Sequence, residues 1–155
     1  MIALVCDLAW GQPPPQVDDI LTGAPLTGQV SGVLDTPESV ISVESHFSPP
    51  AANGQATLSV TARVQPGWHI YALDQKPVQA VPTTISVEAS DNYRLTGEFR
   101  PNLPPETVRK DGADFRQFEG QVTWQAPVQI RSGTNAAGLI IAGKARIQAC
   151  SEVSC

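Results

Sequence analysis

Basic side chains are scarce in this chain, and the scarcity removes one class of partner at once. Lys and Arg number 10 against 15 Asp and Glu, a net charge of -5 at pH 7, and no stretch gathers the positive charges into a stripe. A nucleic-acid binder draws much of its affinity from neutralising phosphates, so no nucleic acid is expected as a partner. Attachment to an anionic membrane surface through polybasic patches fails for the same reason. Long apolar runs are missing too. No stretch approaches the roughly 20 residues of a membrane-spanning helix, so any link to a membrane has to come from segments outside this sequence. Helix-forming runs of Ala, Glu, Lys and Leu are absent. Histidines are only two, His46 and His69. They stand at unhelpful positions for completing a tetrahedral site with a pair of cysteines, so no metal and no cofactor is expected. Neither a Ser/His/Asp set nor a pair of facing carboxylates is readable, and Asp111 and Asp114 read as solvated loop charges.

What the chain does contain is turn-forming residues, 14 Pro and 12 Gly in 155 positions. That composition suits many short strands, and the length suits one domain with a real core. Residues 1–12 are apolar without a basic leading segment and are interrupted by Asp7, and read as the remnant of a secretory signal. Cys6 would leave with it, and an even pair of cysteines would remain. Residues 13–39 carry Pro13-Pro14-Pro15, Pro25 and Pro37 with no sustained periodicity, and read as a Pro/Gly-rich linker.

Alternation starts at Val40. Strands are predicted over Val40–Phe47, Ala56–Val64, Trp68–Ala72, Thr83–Ala89, Tyr93–Phe99 and Gln121–Ile130, with turns at Pro49-Pro50, Pro66-Gly67, Ser90-Asp91-Asn92 and Ser132-Gly133. Trp68 and Trp124 read as core. With the run that begins at Gly138, these make seven strands and predict an all-β domain over 40–155, an immunoglobulin-like antiparallel β-sandwich. Between them, Pro101 to Gly120 reads as an irregular loop, long enough to be functional.

The last run, Gly138 to Cys155, holds two of the three cysteines, Cys150 and Cys155, with four residues between them. Alternation puts Leu139, Ile141, Ala145, Ile147 and Ala149 on one face and Lys144, Arg146, Gln148 and Cys150 on the other. Cys150 is therefore expected on the wet side, within reach of a partner's thiolate. Closing so short a loop stabilises by only about 2 to 3 kcal/mol, a modest reason for a purely structural disulfide. Short, exposed disulfides are the labile ones. Two readings stay open: a redox-active pair on a sandwich, or a non-catalytic β-sandwich binding module whose disulfide staples a hairpin. Arg146 is an unpromising thiolate stabiliser, since four strand residues set it about 13 Å from Cys150, beyond a Debye length of about 8 Å. Glu152, inside the turn, would raise a neighbouring thiol's pKa.

Several pieces in order carry a family likeness: Gly67-Trp-His-Ile-Tyr, the Pro82-Thr83 step, Phe118-Glu-Gly, Gly133-Thr-Asn-Ala-Ala-Gly-Leu and Gln148-Ala-Cys-Ser-Glu-Val-Ser-Cys. Together, over about Val40 to Cys155, they resemble the N-terminal periplasmic domain of the thiol:disulfide interchange protein DsbD. The resemblance implies an exported, immunoglobulin-like domain with Cys150 and Cys155 as the redox pair. It implies electrons received from a thioredoxin-like domain and passed to periplasmic disulfide isomerases or cytochrome c maturation proteins, and Cys155 as the sulfur that partners attack. It places His69 and Tyr71 beside the cysteines. Phe115 and Phe118, in the irregular stretch, are expected to lie over the pair as a lid. The chain stops on Cys155, so a fragment of a longer protein is expected, with the strand that would pair beyond the cysteine turn left out.

Overall fold

A computed structural model of the protein describes residues 39–77 and 80–155, together with the backbone of a strand at 4–8. Apart from that strand and Ser39, the predicted signal remnant and linker lie outside the described residues. The strands are β1 (Leu4–Leu8), β2 (Ile41–Phe47), β3 (Gln55–Val64), β4 (His69–Tyr71), β5 (Thr84–Val87), β6 (Tyr93–Leu95), β7 (Arg100–Pro101), β8 (Glu106–Lys110), β9 (Ala113–Glu119), β10 (Gln121–Ile130), β11 (Gly143–Ile147) and β12 (Ala149–Cys150). A 3-10 turn, Ala136–Gly138, precedes β11.

One layer is the antiparallel sheet β2-β3-β10-β6, with β7 also paired to β10. Its two long strands, β3 and β10, follow from alternating apolar residues. Leu58, Val60, Ala62 and Val64 of β3, and Val122, Trp124, Ala126, Val128 and Ile130 of β10, are all buried. The opposing layer is built from two smaller sheets, β12-β4-β9-β8 and β1-β11-β5. Side chains from all three sheets meet in one core, where Val60 and Trp124 of the first layer pack with Ile70 and Phe118 of one small sheet and Ala145 and Ile147 of the other. A second cluster, with Leu58, Tyr93, Ile130 and Ile141, fills the far end. The architecture is an immunoglobulin-like β-sandwich, as the strand pattern predicts.

Two chain features carry the strands from one layer or sheet to the next. Gly120, at φ 66°, sits between β9 and β10 and turns the chain from the second layer into the first. Gln148 separates β11 from β12, so the cysteine run leaves the β1-β11-β5 sheet and enters the β4 sheet. β11 has a neighbour on each side, β1 in parallel and β5 antiparallel.

The stretch 101–120 corrects the sequence reading. Most of it is a hairpin, β8 and β9, closed by a two-residue loop at Asp111-Gly112 in which both residues have positive φ, 51° and 79°. Asp-Gly is the preferred pair for such a turn, because its twist matches that of the flanking strands. The hairpin was hard to read because β8 is largely solvent-exposed and its Glu-Thr-Val-Arg-Lys lacks an apolar period.

Candidate functional site

The site occupies the outer face of the β12-β4-β9-β8 sheet. Antiparallel register places Cys150 across from His69, His69 across from Glu119, and Tyr71 across from Gln117. Alternation sends Ile70 and Phe118 inward to the core and leaves His69 and Tyr71 on the outside with Cys150. Cys150 and Cys155 are joined by a disulfide, their Cα atoms 4.0 Å apart. The turn between them is stitched by Ser151. Its backbone N–H donates to the Ser154 carbonyl (2.6 Å), and its Oγ accepts from the Ser154 N–H (3.1 Å). Glu152 and Val153 point to solvent from this turn.

The two halves of the disulfide have different surroundings. Cys155 is exposed, whereas Cys150 is 1% exposed. The predicted outer face for Cys150 is the right one, but it is not wet. Tyr71 and Ala80 bury it, with half-buried Phe115 packed against them. Because the strand is covered on both sides at this point, Ala149 and Cys150 are buried in succession, which a simple alternation of dry and wet faces does not anticipate.

His69 and Tyr71 are held together. The imidazole Nε2 lies 3.3 Å from the Tyr71 hydroxyl, and the rings meet edge to face at 5.3 Å. Burial lowers the His69 pKa, opposed by the Glu119 carboxylate and reinforced by Lys110. Burial raises the Tyr71 pKa. Both shifts favour the neutral form of the side chain, the imidazole in one case and the phenol in the other. The Tyr71 ring also contacts Phe115, at 6.1 Å between centroids.

The predicted site residues therefore separate into two groups. Cys150, Cys155, His69, Tyr71 and Phe115 come together. Phe118 does not join them, which corrects its reading as a lid. It is 3% exposed in the core, edge-on to Trp124 at 5.9 Å, because it stands an odd number of residues from Phe115 on one strand. His46 lies on β2, in the other layer. Arg146 and Glu152 are exposed, and Asp114 is exposed opposite Arg109.

Some contributors carry no sequence signal. Ala80 covers Cys150 from 70 positions away, a proximity that only the fold creates. Its segment is fastened by the Val81 N–H, which donates to Gln148 Oε1 at 2.8 Å, and by the Thr83 hydroxyl, which donates to the Tyr71 carbonyl. Buried Gln75 accepts from the Arg116 N–H at 2.6 Å, and the Arg116 guanidinium pairs with Asp74, tying the chain after β4 to β9.

A disulfide with one exposed and one covered sulfur suits exchange by attack at the exposed side, with the covered sulfur as leaving group. The comparisons accord with that chemistry. Residues 38–155 match the family model of the N-terminal region of the thiol:disulfide interchange protein DsbD. The chain belongs to the DsbD N-terminal family. Among solved structures it is similar to the N-terminal periplasmic domain of ScsB from Proteus mirabilis, with a TM-score of 0.53 and 16% identity. That match covers 78% of this chain and 45% of the ScsB chain, so the chain spans less than half the length of that relative. A search of the curated proteins finds none that matches. At this identity the ScsB likeness concerns the fold. The family is described by the N-terminal region of a thiol:disulfide interchange protein.

Proposed function

We propose that this domain is a periplasmic dithiol/disulfide relay that takes electrons from a thioredoxin-like domain and hands them to periplasmic thiol-disulfide proteins such as disulfide isomerases or cytochrome c maturation proteins. The observation that carries the proposal is the asymmetry of the pair, Cys155 exposed and Cys150 covered by Tyr71, Ala80 and Phe115. In the reducing step a donor thiolate attacks Cys155 Sγ. The intramolecular S–S bond breaks, and its electron pair leaves on Cys150 Sγ. The donor's second thiolate then attacks the mixed disulfide, so the donor ends oxidised and the Cys150/Cys155 pair reduced by two electrons. In the oxidising step the Cys155 thiolate attacks an acceptor disulfide and releases one acceptor thiolate. The Cys150 thiolate then attacks Cys155 Sγ of the mixed disulfide, releasing the second, so the acceptor ends reduced and the Cys150–Cys155 disulfide is re-formed.

His69 and Tyr71 support the pair by packing and hydrogen bonding beside Cys150, and Phe115 serves as the lid. Export fits a signal remnant at 1–12 followed by a linker at 13–39. The backbone of Leu4–Leu8 runs beside β11, so its removal on export would leave β11 paired with β5. The parent protein would be held at the inner membrane through segments outside this sequence.

A redox titration tests the proposal. A reduction potential between about -200 and -270 mV fits a relay, whereas one below about -300 mV belongs to a structural disulfide and would favour a binding module with a stapled hairpin.

A further inference from the structure

The cover over Cys150 has a fastening that the chemistry of the cysteines does not require. Gln148 stands where the chain passes from β11 to β12, between the two small sheets. Its side chain reaches across 67 positions of sequence to accept the Val81 N–H at 2.8 Å. Val81 follows Ala80, which is buried against Cys150 together with Tyr71. The same segment is tied a second time through Thr83, whose hydroxyl donates to the carbonyl of Tyr71. The residue two positions before the leaving-group sulfur is thus bonded to the segment that hides that sulfur.

We infer that Gln148 is a positioning residue, whose side-chain carbonyl clasps the Ala80–Val81 segment over Cys150 so that thiol reagents and partner thiolates reach Cys155 alone. The inference rests on the relay reading for its purpose, since a relay works only if partners form their mixed disulfide on one defined sulfur. Its physical basis is separate. Val81 is half-buried, and its N–H must leave the clasp for water once the Gln148 oxygen is gone. Nothing else in this contact needs the amide: Gln148 Oε1 accepts, so a carboxylate of the same length supplies an equivalent acceptor, whereas a thioether of similar length fills the space and supplies almost none.

The test uses the whole chain after reduction, labelled with neutral iodoacetamide and read by peptide mass spectrometry as the ratio of Cys150 to Cys155 modification. Gln148→Ala and Gln148→Met are expected to raise that ratio about fivefold, the population shift that follows loss of one typical intramolecular hydrogen bond. Gln148→Glu is expected to keep the ratio at or below that of the parent. Near-ultraviolet circular dichroism checks that each variant is folded, and if Gln148→Ala loses its native spectrum, Gln148→Met carries the comparison. A folded Gln148→Met with an unchanged ratio overturns the inference, as does a Gln148→Glu that labels like Gln148→Ala. No partner protein enters this measurement. A failure of thioredoxin-like donors to reduce the parent chain therefore counts against the relay, while the labelling ratio still decides the clasp.

Discussion

His69 and Cys150 are cross-strand partners on the β4–β12 ladder, and the His69 ring leans on the Tyr71 hydroxyl at 3.3 Å. Buried Cys150 is therefore flanked by an imidazole whose pKa burial lowers.

That flank has a consequence for stability. The folded-state pKa of His69 is lowered from 6.5, so below about pH 6.5 the unfolded chain binds the proton more readily than the folded one. Stability should fall as pH drops from 7 through 6.5 and toward the folded-state pKa. Replacement by Gln, which has no titrating group, should flatten this part of the profile. Melts of the parent and His69→Gln between pH 7.5 and 5.5 check it, and parallel profiles would show that His69 is not responsible.

The roles of the two sulfurs are tested by removing them singly. Cys150→Ser, which retains exposed Cys155, should trap a thioredoxin-like donor lacking its resolving cysteine faster than Cys155→Ser does, by about tenfold or more given the burial of Cys150. Faster trapping by the chain that retains only Cys150 would reverse the assignment.

A lid role for Phe115 predicts an effect on access rather than on the fold. It is half-buried against Tyr71, and an aromatic pair of this kind contributes about 0.5 to 1.5 kcal/mol. Phe115→Ala should therefore speed reduction by dithiothreitol about two- to tenfold, with a small loss in melting temperature. Unchanged stopped-flow rates would remove Phe115 as a lid.

Phe118 should behave in the opposite way. Fully packed against Trp124, it should cost about 3 to 5 kcal/mol when cut to Ala. Urea unfolding measures this. A cost under about 1 kcal/mol would be incompatible with its place in the core.

Much of the sandwich was legible because its long strands bury one face. Leu58, Val60, Ala62 and Val64 announce β3, and the alternation from Val122 to Ile130 announces β10. The β8–β9 hairpin lay hidden because both strands expose charged side chains, although Asp111-Gly112 was the available signal for its turn. As a loop, 109–118 would let Phe115 and Phe118 share one lid. On a strand, three positions of separation put them on opposite faces.

The sequence by itself determined the all-β class, the face on which Cys150 sits and the closeness of Cys155, since these depend on alternation and on neighbours along the chain. Tertiary structure alone decided how much of that face is covered. Ala80 and Tyr71 come from a distant part of the chain, and Gln148 reaches Val81, next to Ala80, where the chain leaves the sheet of β11 for β12 and its pairing with β4. Periodicity reports which side of a strand a residue takes. Whether that side meets water depends on long-range packing, which leaves no period in the sequence.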